Sequence, residues 1–144
     1  MMYNFIDESV SQRGGICMEI TKTAQGISIT CQAVFAGDDL NLTIYGGEHP
    51  HIGCVVLSIP RPSLTGTGTG VTSSVLNLLG HKEESVARMF AEYAAKKYGR
   101  TTCCTCGIHM EQATKGQLKT IEVICGDILK EFDQWLKDSK GKGV

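Results

Sequence analysis

Between Cys17 and Tyr45 apolar and polar residues alternate through three successive stretches, and each stretch ends at a glycine-bearing turn. Met18, Ile20 and Lys22 oppose Cys17, Glu19 and Thr21. Ile27, Ile29, Cys31 and Ala33 oppose Ser28, Thr30 and Gln32, and Leu40, Leu42 and Ile44 oppose Asn41, Thr43 and Tyr45. A period of two puts successive side chains on opposite faces of a sheet, so this part of the chain is expected to be strands with one buried face. Ala24–Gly26 and Gly37-Asp38-Asp39 supply the turns, and Gly46-Gly47 breaks the third strand.

The rest of the chain alternates strand and helix signals. His51–Ile59 is nearly all apolar and reads as a central strand buried on both faces, ended by Pro60, Arg61 and Pro62. Residues 63–74, rich in Ser, Thr and Gly, read as a flexible loop, and Val75–Leu79 as a short apolar run. Gly80-His81 opens a helix with Glu83 and Glu84 in its first turn, Lys96 and Lys97 at its end, and Gly99 as its stop. Arg100–Ile108 reads as a second buried strand. Thr114–Leu136 is the clearest helix: Thr114 and Gln117 have capping-box spacing, and Ile121, Ile124, Cys125, Ile128, Leu129, Phe132 and Leu136 form one apolar stripe. The expected fold is α/β (α+β), a mainly antiparallel sheet with two helices packed on one face. One domain over residues 1–144 is expected, with residues 1–14 and 138–144 as flexible ends.

Composition removes several function classes. With 42% apolar and 20% charged residues and a net charge of -1, the chain has no cationic surplus for nucleic acid or anionic membranes. No stretch reaches the roughly 18 apolar residues of a membrane span. Met1–Ile6, followed by Asp7 and Glu8, does not read as a signal peptide, so a cytoplasmic location is expected. Seven cysteines cannot all pair internally. Cys17, Cys31, Cys54 and Cys125 fall in apolar patterns and read as small core residues. Cys103 and Cys106 have C-x-x-C spacing, but a second pair is lacking and the motif lies in a strand, with Cys104 and Cys106 on one face and Cys103 on the other. A buried strand and a metal or redox role both stay open.

The histidines sit at element ends. In an extended Glu48-His49-Pro50-His51 segment, His49 and His51 point the same way and can converge on one metal ion; His109 ends the later strand and His81 opens a helix. Solvated surface histidines are the competing reading. Gly80-His81-Lys82 at a helix start offers N–H groups to an anion, with Arg61 and the hydroxyl-rich loop to Ser74 as further donors. That loop matches neither a dinucleotide fingerprint nor a P-loop, and a plain solvated loop is the alternative. Glu48 is the carboxylate beside the histidines that can serve as a base.

The blocks Gly46-Gly47-Glu48-His49-Pro50-His51-Ile52-Gly53, Pro60-Arg61-Pro62-Ser63, Thr72-Ser73-Ser74 through Gly80-His81-Lys82-Glu83, and Gly107-Ile108-His109 followed by Ala113-Thr114 resemble the prenylated-flavin chaperone family. These are the small D subunits of gallate and hydroxyarylic acid decarboxylase systems, whose fold is similar to proteasome assembly chaperones. The resemblance spans about residues 15–136. It implies a non-catalytic homodimer or higher oligomer that binds reduced prenylated FMN with a divalent metal. It also implies delivery to a large prenylated-flavin decarboxylase subunit, with the flavin prenyltransferase as a further partner. On that reading the metal would be held by His49, His51 and His109, and the flavin by Arg61, Ser63, Ser73, Ser74, His81 and Lys82. The competing expectation is a small metal-dependent hydrolase that uses the three histidines as ligands and Glu48 as base.

Overall fold

The computed structural model describes residues 7–14, 17–78 and 83–140. In chain order the elements are β1 (Asp7–Gly14), β2 (Cys17–Ala24), β3 (Ile27–Ala36), β4 (Asp39–Gly47), β5 (Cys54–Pro62), β6 (Thr69–Asn77), α1 (Glu84–Tyr98), β7 (Thr102–His109) and α2 (Lys115–Lys140). The strands form one seven-stranded sheet in the order β1-β2-β3-β4-β7-β5-β6. All neighbouring pairs are antiparallel except β4–β7, which is parallel. The α/β arrangement with a mainly antiparallel sheet is therefore the one expected.

Turn chemistry accounts for the β2–β3 register. Ala24 pairs with Ile27, and the two residues between them, Gln25 and Gly26, have φ of 52° and 76°. That is the two-residue hairpin whose twist suits its flanking strands. Helix ends follow the sequence equally closely. Thr114 and Gln117 exchange reciprocal bonds, Thr114 N–H to Gln117 Oε1 at 2.9 Å and Gln117 N–H to Thr114 Oγ1 at 3.1 Å. Gly99, at φ 64°, closes α1 by donating its N–H to Ala95 O.

Both helices lie on one face of the sheet. α2 covers β2 and β3, while α1 crosses β5, β7 and β6. α1 presents Ala87, Ala91 and Ala94, all fully buried, which lets it sit close to the strands. The small thiols Cys31, Cys54, Cys104 and Cys106 face it and α2 from the sheet. Cys104 and Cys106 point inward and Cys103 the other way, so the C-x-x-C spacing belongs to a core strand. Burial pushes the Cys125 thiol up to about 12 and raises Cys31, Cys104 and Cys106 well above the ordinary thiol range. These cysteines are neutral packing atoms. Lys22 occupies an inward position of β2, where its ammonium meets Asp127 at 2.5 Å and Glu131 at 3.1 Å of α2. Burial opposes its charge, and the bonds to the two carboxylates outweigh burial and hold its pKa above the ordinary lysine value.

Four expectations are corrected. β5 is next to the sheet edge, not central. Its outer face is open, with Leu57 and Ile59 exposed, because both helices lie on the other side. Residues 63–74 are not a loop: a tight turn over Ser63–Gly68, closed by Ser63 N–H to Gly68 O at 3.0 Å, leads directly into β6. Residues 7–14, expected to belong to a flexible end, form β1, and α2 runs on to Lys140. α1 starts at Glu84 with Glu83 as its N-cap, and Gly80, His81 and Lys82 lie outside the described residues. Among the described residues no helix is long and apolar enough to cross a membrane.

Candidate functional site

Parallel pairing brings the ends of β4 and β7 together, with Gly47 opposite His109. The chain leaving β4 folds over the end of β7. Glu48 N–H and His49 N–H both donate to His109 O, at 2.8 and 3.4 Å, and Gly53 N–H donates to Cys106 O at 2.8 Å. Glycines permit this crossing. A Cβ on Gly107 would collide with the His51 carbonyl, one on Gly47 with the His109 carbonyl, and one on Gly53 would stand 2.6 Å from Glu83 Oε2. Backbone sterics thus hold residues 48–53 against the strand that ends in His109.

Three of the four histidines meet there. The rings of His49 and His109 are 5.8 Å apart, and those of His51 and His109 are 6.1 Å apart. His51 Nδ1 lies 2.9 Å from His49 O. A carbonyl oxygen only accepts, so Nδ1 carries a hydrogen in this contact. His51 Nε2 faces Glu83 Oε1 at 3.2 Å. His109 Nε2 is 3.3 Å from Glu111 Oε1, and His49 Nε2 is 3.9 Å from the same oxygen. Glu48 Oε2 accepts the Glu111 N–H at 3.4 Å.

The donor set, imidazoles with carboxylates, suits a divalent cation. Among the described residues no three such side chains stand ready to grip an ion. Rings near 6 Å apart must rotate to bring their nitrogens to about 2 Å from one centre. The side chains of His49 and His109 are 65% and 39% exposed, which leaves them room to do so. Glu83 and Glu111 were not singled out from the sequence as site residues. Glu83 read as a helix-dipole partner, and Glu111 has no spacing signal beyond lying two residues after His109.

Beside the histidines a cleft of about 580 Å³ opens between the start of α1, the end of β7 and the first turns of α2. Val86, Met89, Ile108, Met110, Leu118 and Ile121 make its walls apolar, and Glu83 and His109 belong both to it and to the histidine cluster. Its size lies within the range of pockets that hold an organic cofactor.

The expected phosphate residues are not gathered here. Arg61 and Ser63 lie at the opposite end of the β5–β6 hairpin, about 23 Å along the strand from Cys54. Arg61 lies over Gly70, with Nε donating to Thr72 Oγ1 at 2.9 Å and Nη1 to Pro62 O at 3.2 Å. Ser73 is held between Ser58 Oγ at 2.8 Å and Glu92 Oε1 of α1 at 2.9 Å. Ser74 is exposed on the outer face, and His81 and Lys82 lie outside the described residues.

The chain is similar to several known proteins. A family model described as prenylated flavin chaperone LpdD-like domain matches residues 23–137. Protein LpdD of Lactiplantibacillus plantarum is 26% identical over 121 residues, covering 81% of this chain and 85% of that protein. Among solved structures, a chain of a chaperone complex for yeast 20S proteasome assembly superposes with a TM-score of 0.50 at 15% identity, covering 96% of this chain and 98% of that one. The last match speaks to the fold alone.

Proposed function

The chain belongs to the LpdD-like prenylated flavin chaperone family, and from that premise we propose that it binds reduced prenylated FMN at the histidine end of the sheet. As a member of a chaperone family it is an accessory protein and not an enzyme. The observation that carries the site is the sharing of His109 and Glu83 between the histidine cluster and the apolar cleft. A prenylated flavin presents the same two chemistries, a large apolar ring system and an anionic phosphate.

In this reading the cleft takes the ring system. A divalent ion held by His49, His51 and His109 would supply positive charge to an anionic part of the ligand. Phosphate donors come from His81 and Lys82 before α1, while within one chain Arg61 and Ser63 lie about 23 Å along the strand from this end and Ser74 faces outward, away from the cleft. Ser73 is the weakest of the proposed contacts, since its hydroxyl is engaged by Ser58 and Glu92. The partners proposed are a large prenylated-flavin-dependent aromatic acid decarboxylase, which receives the cofactor, and the flavin prenyltransferase, which supplies it. The protein acts as a homodimer or higher oligomer. A cytoplasmic location is supported by the seven cysteines, each of which is a free thiol. The family is one of chaperones, which argues against a metal-dependent hydrolase.

The test is anaerobic titration with prenylated FMN and with FMN, each with and without divalent metal. Tight, metal-dependent binding of the prenylated form alone is expected. Equal affinity for both flavins, or binding of neither, would overturn the proposal.

A further inference from the structure

The two edges of the sheet are built differently. β1 carries Asp7, Glu8 and Arg13 in sequence, and its register with β2 shifts between Val10 and Gln12. A bulge and charges are the usual means of stopping another strand from adding to an edge. β6, Thr69–Asn77, has nine residues in unbroken register with β5, and none of them is charged or a proline. Its outer face shows Leu76 at 74% exposure beside Leu57 and Ile59 of β5. A long, regular, uncharged edge of this kind invites strand addition.

We propose that β6 pairs antiparallel with β6 of a second copy of this chain, about a twofold axis at Ser74, which continues the sheet across the dimer. The hairpin geometry fixes which backbone groups are free to pair, and the charges on α1 choose Ser74 among the registers these allow. The Ser63 N–H to Gly68 O bond sets the alternation of the β5–β6 ladder. Gly70, Thr72, Ser74 and Leu76 then bond inward to β5, while Thr69, Val71, Ser73, Val75 and Asn77 turn their backbone groups to the edge. With the axis at Ser74, Ser73 meets the partner's Val75 and Val71 meets the partner's Asn77, each in a hydrogen-bonded pair, and Ser74 faces its own copy.

The charges on α1 match the same axis. Glu84, Arg88 and Glu92 form a row above β6, joined by Arg88 Nε to Glu84 at 2.7 Å and Arg88 Nη1 to Glu92 at 2.9 Å. The row is fixed to the strand by Asn77 donating to Glu84 at 2.8 Å and Ser73 donating to Glu92 at 2.9 Å. Ser74 is therefore level with a point midway between Arg88 and Glu92. Rotation about it sets Arg88 opposite the partner's Glu92, and Glu92 opposite the partner's Arg88. This dimer also returns Arg61 to the histidine end. Arg61 pairs with Gly70, and the partner's Gly70 falls level with Leu78, whose N–H bonds Gly53 O at 2.9 Å.

The dimer does not depend on flavin binding, and sedimentation tests it separately from the titration above. The full chain is expected to sediment as a dimer. Ser74→Lys, which places two ammonium groups face to face at a position exposed in the single chain, should give a monomer with unchanged circular dichroism. Ser74→Cys should cross-link to itself under mild oxidation, whereas Thr72→Cys and the parent chain should not. A monomeric parent chain would overturn the proposal, as would a dimer that persists in Ser74→Lys or cross-linking through Thr72→Cys in place of Ser74→Cys.

Discussion

His51 Nε2 points at Glu83 Oε1 across 3.2 Å, joining the loop after β4 to the N-cap of α1. The other ring nitrogen donates to the His49 carbonyl, so a cation at Nε2 would stand beside the Glu83 carboxylate as well. Removing a polar group that supports a metal site typically costs about 10–100-fold in affinity. Glu83→Gln is therefore expected to weaken divalent-metal binding by about that factor, and paired replacement of His49 and His51 by Ala to abolish it. Calorimetric titration with zinc or manganese, with circular dichroism as a fold control, makes the measurement. Undiminished affinity in the double variant would remove this pair from the site.

The crossing at Gly107 has no room for a side chain, because the neighbour is the His51 backbone and cannot swing aside. Gly107→Ala is expected to destabilise the protein by about 2–4 kcal/mol and to displace residues 48–53. Gly126, inside α2 with nothing near its would-be Cβ, gives the opposite sign: Gly126→Ala should stabilise by about 0.5–1 kcal/mol. Urea unfolding of the two variants compares them directly.

Asp133 ties the end of α1 to α2. Tyr98 donates to it at 2.6 Å, Tyr93 at 2.7 Å and Lys97 at 2.9 Å. Burial alone would raise its pKa, but the bonds from Tyr98, Lys97, Tyr93 and Lys137 outweigh that and hold it well below the usual carboxylate range. A carboxyl whose pKa is lower folded than unfolded stabilises above the unfolded value, about 3.9, and loses that contribution as pH falls toward the folded one. Asp133→Asn should then cost roughly 2 kcal/mol at pH 7 and progressively less below about pH 4. Thermal unfolding of both proteins across that range tests the sign.

Cys17 and Cys103 are half-buried, and the other five thiols are buried in the core. Brief alkylation of the native protein should modify these two first, and the remainder only after denaturation. Rapid labelling of Cys106, or a disulfide between Cys103 and Cys106, would revive a redox role for β7.

Much of this fold could be read from alternation and caps. The β2–β3 hairpin, the stop of α1, the cap of α2 and the shared face of Cys104 and Cys106 follow from residue order alone. The β5–β6 hairpin was hidden for a physical reason. Thr and Ser favour both loops and solvent-facing strands, so Thr69–Ser74 resembles a loop until its partner is known. The outward exposure of Leu57 and Ile59 depends on which side the helices choose, a fact carried by no local pattern. At the site, the histidines were legible because their type is rare here. Glu83 and Glu111 were not, since acidic residues at helix starts and turns are commonplace, and the distance of Arg61 follows only from strand direction.

β7 enters the sheet last and lies between β4 and β5, two strands adjacent in sequence that never touch as neighbours. A chain still emerging from the ribosome, with residues up to Tyr98 available, holds a meander and a separate hairpin with no seam between them. Closing that seam brings together segments far apart along the chain, the slowest kind of contact to form. It also delivers His109 to His49 and His51. Ligand binding at this end of the molecule is thus expected only of a finished chain, so that synthesis itself decides when the site comes into being.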